Sequence, residues 1–106
     1  METIPYDKRS GKIWFNGENV DWGSAQIHIL SHGLHYASCV FEGERAYKGK
    51  IFETEKHTKR LFNSAKSLDM EIPFSQKEIL KAKDTLLEKN KLSDAYVRPV
   101  AWRGSE

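Results

Sequence analysis

Arg60 is the first residue with distinctive chemistry to offer. A guanidinium meets phosphate or carboxylate oxygens through two parallel, charge-assisted hydrogen bonds that an ammonium cannot reproduce. Arg60 lies beside Leu61 in a helical pattern, at a boundary between core and cleft. Tyr96 and Arg98 are two apart in a strand-like run, so they project from one face and can grip a carboxylate together. Phe41, Gly43 and Arg45 alternate in the same way along an earlier run, offering an apolar wall, a gap and a positive charge. Each has a plainer account on pattern alone: Arg60 as a solvated helix arginine, Tyr96 and Arg98 as a sheet tyrosine near a surface ion pair, Phe41 as core. His32-x-x-His35 has two potential metal ligands, but zinc needs further Cys, His or carboxylate partners at suitable spacing. No metal is expected, and hydrogen bonding is the simpler account of those histidines. Cys39 falls in a strand pattern without an activating neighbour, which predicts a buried thiol.

Elements must bring these groups together. Residues 1–11 are polar, with Pro5, Ser10 and Gly11, and read as a loose lead-in; structure is expected from Lys12 onward. Asn16-Gly17 between Ile13-Trp14-Phe15 and Asn19-Val20-Asp21-Trp22 predicts a hairpin. The aromatic and β-branched run over 38–47, turned by Lys48-Gly49 toward Lys50-Ile51-Phe52, predicts a second one. Alternation then puts Cys39, Phe41, Gly43, Arg45 and Tyr47 on one face, and Val40, Glu42, Glu44 and Ala46 on the other. Helical spacing of Thr58, Leu61, Phe62, Ala65 and Leu68 predicts a helix over 54–70, with Thr54 as its cap. Ser75-x-x-Glu78 is a capping-box pattern opening a second helix that fades near Asn90. The run over 95–102 reads as a strand interrupted by Pro99, at an edge or bulge. Strands, then two helices, then a strand argue for an α+β layer packing and against a doubly wound parallel sheet.

The bulk composition narrows the function classes. With 39% hydrophobic and 30% charged residues, the 106-residue chain has the balance of one soluble, folding domain. Its net charge of +2 comes from interspersed basic and acidic residues; acidic neighbours interrupt the helix lysines, so nucleic acid is not expected as a partner. A single cysteine permits no internal disulfide, and no run approaches a membrane span, so the expected location is the cytoplasm without membrane association.

The ordered motifs carry more. The run from His32-Gly33-Leu34-His35-Tyr36 through Val40-Phe41-Glu42-Gly43 to Arg45-Ala46-Tyr47, then His57-x-x-Arg60-Leu61, then Tyr96-x-Arg98-Pro99, closely resembles the amino-terminal domain of branched-chain amino acid aminotransferases. These are class IV, pyridoxal-phosphate-dependent enzymes, and the resemblance covers essentially residues 12–104. D-amino acid aminotransferases and aminodeoxychorismate lyases, which share the cofactor fold, look less similar through 32–47 and 96–99.

The resemblance implies the small domain of fold type IV, residues 12–106 here: a mostly antiparallel twisted sheet with two main helices packed on it, lacking its last strand. It implies that Arg60 holds the cofactor phosphate. Tyr96 would take the substrate α-carboxylate and Arg98 mainly the side-chain carboxylate of glutamate. Tyr36, reaching from a neighbouring subunit, would shape the branched side-chain pocket with Phe41 and Gly43, and Arg45 would lie nearby with no assigned partner. The family usually has an aliphatic residue where this chain has Glu44, a departure not expected to alter the pocket. The lysine that captures the cofactor aldehyde belongs to a second domain absent from this chain. All twelve lysines lie in polar or helix-surface contexts, none in an apolar pocket sequence, so no catalytic residue is expected. Two readings follow. The first is one domain of a transaminase acting on leucine, isoleucine or valine and 2-oxoglutarate, with pyridoxal phosphate in the complete enzyme but not stably held by this chain alone, and joined in a homo-oligomer or to the missing domain. The alternative is an orphaned, non-catalytic remnant or self-associating binding domain.

Overall fold

The structure is a computed structural model and describes residues 3–106. After a 3-10 turn at Tyr6–Lys8, β1 (Lys12–Phe15) and β2 (Glu18–Asp21) form the first hairpin, with Ile13 opposite Val20. Asn16 and Gly17 both have positive φ, 49° and 93°, which makes their turn type I′. The second hairpin, β4 (Glu44–Tyr47) with β5 (Lys50–Ile51), turns in the same manner at Lys48 and Gly49, φ 52° and 80°. Sequence and structure agree at both turns because the twist of paired strands selects positive φ at two successive residues.

The two long strand patterns are each broken in the middle. Residues 38–47 give β3 (Cys39–Phe41) and β4, separated at Glu42-Gly43; residues 95–102 give β6 (Ala95–Val97) and β7 (Val100–Trp102), separated at Arg98-Pro99. The breaks face each other. β3 pairs with β7, β4 lies between β5 and β6, and the Glu42 N–H donates to the Pro99 carbonyl at 3.1 Å across the junction. Proline has no N–H for a ladder, so one broken strand obliges its partner to leave the ladder at the same level. Every pairing is antiparallel, in three small sheets.

Two helices cover the sheets. α2 (Thr54–Ser67) begins one residue earlier than a Thr54 cap requires: Glu53 is the cap residue, in the left-handed region and without a side-chain bond, and Thr54 is already helical. The helix also ends short of residue 70. α3 (Gln76–Lys89) has the full capping box, with the Glu78 N–H donating to Ser75 Oγ and the Ser75 N–H to Glu78 Oε1. The core gathers Ala46, Ile51 and Leu87, with Ala95 and Val97 against them, while Leu61 and Ala65 of α2 and Ile79 and Ala82 of α3 are also buried. Trp14 packs edge-on against Phe74 at 5.0 Å, tying β1 to the entrance of α3. A short helix, α1 (His32–Tyr36), has no counterpart in the sequence reading; its five residues are too few for a periodic signal. The α+β class expected from the order of elements is the class observed.

Candidate functional site

Five of the seven candidate site residues share one exposed face along the broken strands. Phe41, Gly43 and Arg45 point outward, while Glu42, Glu44 and Ala46 are buried, as period-2 alternation requires. Arg45 lies opposite Tyr96 in the β4–β6 register. The Arg98 guanidinium covers the Phe41 ring at 3.8 Å from its centroid, a cation–π contact that fixes both side chains across the junction. Gly43 is where the face would be closed by any larger residue, since a Cβ there would come within 2.8 Å of Tyr96 Oη. A tyrosine hydroxyl, two guanidinium groups and an aromatic ring thus share one outward face suited to a carboxylate with an apolar side chain.

Arg60 stands outside that outward set and meets the strand from the α2 side. Its side chain leaves α2 and closes on Glu42, the residue between Phe41 and Gly43: Nε donates to both carboxylate oxygens at 3.0 and 2.8 Å, and Nη2 to Oε1 at 2.7 Å. His57, one turn earlier on the same helix face, brings Nδ1 to 2.6 Å from Oε1. Hydrogen bonds from Arg60 hold the Glu42 carboxyl below its ordinary range, against the effect of burial and with a further contribution from His57. The same ion pair raises the Arg60 guanidinium pKa. Neither Glu42 nor His57 was assigned a role by the sequence reading. The one signal was their presence inside the motifs, and the i, i+3 spacing of His57 and Arg60.

Tyr36 stands on α1, 73% exposed, with its ring 4.5 Å from that of His32. α1 is tethered to the chain after β7, with the His32 and Gly33 N–H groups donating to the Gly104 and Arg103 carbonyls. The aromatic partners of Tyr36 among the described residues are His32 and His35. His32 Nδ1 lies 2.6 Å from Ser38 Oγ and His35 Nε2 2.7 Å from the Ile29 carbonyl, so both histidines work in local hydrogen bonds.

Two expectations are corrected. Cys39 is an exposed free thiol, because it belongs to the outward set of the strand. Lys83 is not on a helix surface: its ammonium is buried beneath the sheet, donating to Thr58 Oγ1 at 2.8 Å and lying 2.7 Å from Glu44 Oε2. The contact with Glu44 is a charge contact outside hydrogen-bonding angles, so it neutralises the carboxylate without saturating its oxygens. Glu44, the departure from an aliphatic residue, therefore has a buried counter-ion on α3, and Arg45 keeps its outward course.

The amino-transferase class IV family model matches residues 39–106. The chain is 53% identical over 94 residues to the "Probable branched-chain-amino-acid aminotransferase" of Rickettsia bellii, spanning 89% of this chain and 32% of that protein. It is 46% identical over 102 residues to the branched-chain-amino-acid aminotransferase of Pseudomonas aeruginosa, spanning 92% and 33%. The fold superposes on the crystal structure of the T.th. branched-chain amino acid aminotransferase with pyridoxamine 5'-phosphate at a TM-score of 0.89 and 45% identity, over 92% of this chain and 34% of that one. The chain thus spans about a third of the length of the relatives it matches.

Proposed function

The chain belongs to the amino-transferase class IV family, and from that premise we propose that it is the amino-terminal, small domain of a pyridoxal-phosphate-dependent transaminase acting between leucine, isoleucine or valine and 2-oxoglutarate. The observation that carries this reading is the single outward face on which Tyr96 and Arg98 meet Phe41 and Gly43, with Arg60 bonded to the residue between the last two.

The residues fit such a cofactor and substrate. Arg60 retains an unused guanidinium edge, suited to phosphate oxygens. The missing side chain at Gly43 lets the Tyr96 ring and hydroxyl lie close against the strand. When bound, pyridoxal phosphate supplies the electron sink for amino transfer. This chain supplies grip and selection. Arg60 holds the phosphate; Tyr96 donates to the α-carboxylate and Arg98 pairs with a second carboxylate, so orientation is fixed by charge and by the strand register. Phe41 and Tyr36 wall the side-chain pocket, where each buried methylene contributes about 0.8 kcal/mol and selects branched aliphatic substrates. Arg45, opposite Tyr96, keeps the rim cationic.

Proton transfer belongs to a lysine outside this chain. Lys83, the only buried lysine among the described residues, is engaged by Glu44 and Thr58 below the sheet and has no path to the outward face. Alone, the chain is accordingly inactive and holds no cofactor stably. We further propose a homo-oligomeric enzyme of the cytoplasm, in which the exposed Tyr36 of one subunit enters the neighbour's pocket. No helix among the described residues is long and apolar enough to cross a membrane.

The test is complementation. The chain is joined to the lysine-bearing domain of the Pseudomonas aeruginosa relative, and amino transfer from isoleucine to 2-oxoglutarate is followed together with cofactor absorbance. Turnover is expected in the joined protein and none in the separate chain. A joined protein that folds and takes up cofactor but transfers no amino group from any branched-chain amino acid overturns the reading.

A further inference from the structure

Glu42 and His57 have no task in the function just proposed, yet Glu42 touches the group assigned to the phosphate and His57 touches Glu42. Glu42 is 5% exposed, and its backbone N–H is fixed to the Pro99 carbonyl, so its carboxylate projects from the point where both strands break. It accepts from Nε and Nη2 of Arg60 and lies 2.6 Å from His57 Nδ1. Those bonds occupy one edge of the guanidinium. Nη1 has no acceptor among the described residues, and the Arg60 side chain is 67% exposed. A long side chain so exposed has no direction imposed by its own helix; here a buried anion imposes one.

We propose that Glu42 is the positioning residue for phosphate recognition: it pins the Nε–Nη2 edge of Arg60, with His57 also bonded to its Oε1, so that the remaining edge meets phosphate oxygens already aligned. The inference rests on the phosphate role proposed for Arg60. An opposite effect is built into the same geometry, because a carboxylate repels a phosphate; the sign of the change on neutralising Glu42 decides between a positioner and a brake.

The apo form of the assembled enzyme, this chain joined to the lysine-bearing domain, is titrated with pyridoxal phosphate and separately with pyridoxal, following cofactor absorbance. For Glu42→Gln the expected result is roughly tenfold weaker affinity for pyridoxal phosphate with affinity for pyridoxal unchanged. Arg60→Lys should show the same selective loss, and the double variant no more than Arg60→Lys alone, because the carboxylate acts only through the guanidinium. Equal weakening of both ligands by Glu42→Gln, no change, or tighter pyridoxal phosphate binding overturns the positioning role while leaving Arg60 in place. If Arg60→Lys spares pyridoxal phosphate, the phosphate role of Arg60 itself is lost. Should Glu42→Gln fail to fold, Glu42→Asp keeps the charge and withdraws it by one methylene; a loss confined to the phosphorylated ligand supports the proposal, and an equal loss with both ligands defeats it.

Discussion

Two carboxylates two positions apart, Glu42 and Glu44, are both buried, and each survives burial through a cation from a different helix. They differ in what the cation exposes. Arg60 meets solvent, so its pair with Glu42 is screened and contributes modestly. The sign of its pH dependence follows from the lowered pKa. Glu42 titrates below its ordinary 4.5 in the folded chain, so its contribution is complete above that value and fades as pH falls through the lowered one. Glu42→Gln is therefore expected to lose stability at neutral pH and to flatten the acid limb of a stability–pH curve measured by urea unfolding; an unaltered acid limb contradicts this. Glu44 and Lys83 are both withdrawn from water, and removing one strands the other. Lys83→Met should cost about 3–5 kcal/mol in the same assay, whereas Lys83→Met with Glu44→Ile should return to within about 1 kcal/mol of the parent, because a buried ion pair is replaceable by apolar volume while half of one is not. Burial of Lys83 was hidden in the sequence: a lysine on a helix otherwise rich in surface lysines shows no sign of which turn faces a carboxylate from a distant strand.

The elements were legible where the signal is local. The two type I′ turns and the Ser75–Glu78 capping box depend on residues within three positions of one another, and all three are present. Ser75→Ala should cost about 1 kcal/mol of stability, read from the urea midpoint with an unchanged m-value. Thr54 looked like a similar cap and is not one. Its hydroxyl instead lies 3.3 Å from Lys83 Nζ, beneath the sheet. The breaks in the two long strand patterns were half legible: Pro99 announces one, but Glu42-Gly43 breaks only because it lies opposite Pro99. At that break the Tyr96 ring lies close over Gly43. Gly43→Ala would put a Cβ within 2.8 Å of Tyr96 Oη and oblige the ring to swing aside. In the joined enzyme the expected outcome is a raised KM for the amino acid with stability changed by less than about 1 kcal/mol, measured by steady-state kinetics beside thermal unfolding.

At the scale of the molecule, the chain exposes 8224 Å², roughly a third more than the ~6,100 Å² typical of a folded monomer of its 12.2 kDa mass. The excess includes Ile27, Ile29, Leu30, Leu34 and Tyr36, an apolar stretch through α1 that no described element covers. A domain that works inside a larger assembly has such a surface, which weighs against a self-sufficient remnant. The separate chain is expected to self-associate in sedimentation velocity, and Ile29→Lys with Leu34→Lys to return it to a monomer; a monomeric parent would show that the surface is tolerated in water. The sequence by itself determined the family, the α+β class, the turns and the shared faces of Phe41, Gly43 and Arg45 and of Tyr96 and Arg98, because motif order, short-range turn chemistry and period-2 alternation are all written along the chain. Only the tertiary structure decided that Arg60 is held by Glu42, that Lys83 neutralises Glu44, that Cys39 is exposed and that α1 stands uncovered. Those depend on which strand face meets which helix, a long-range choice that burial energy makes and no local pattern records.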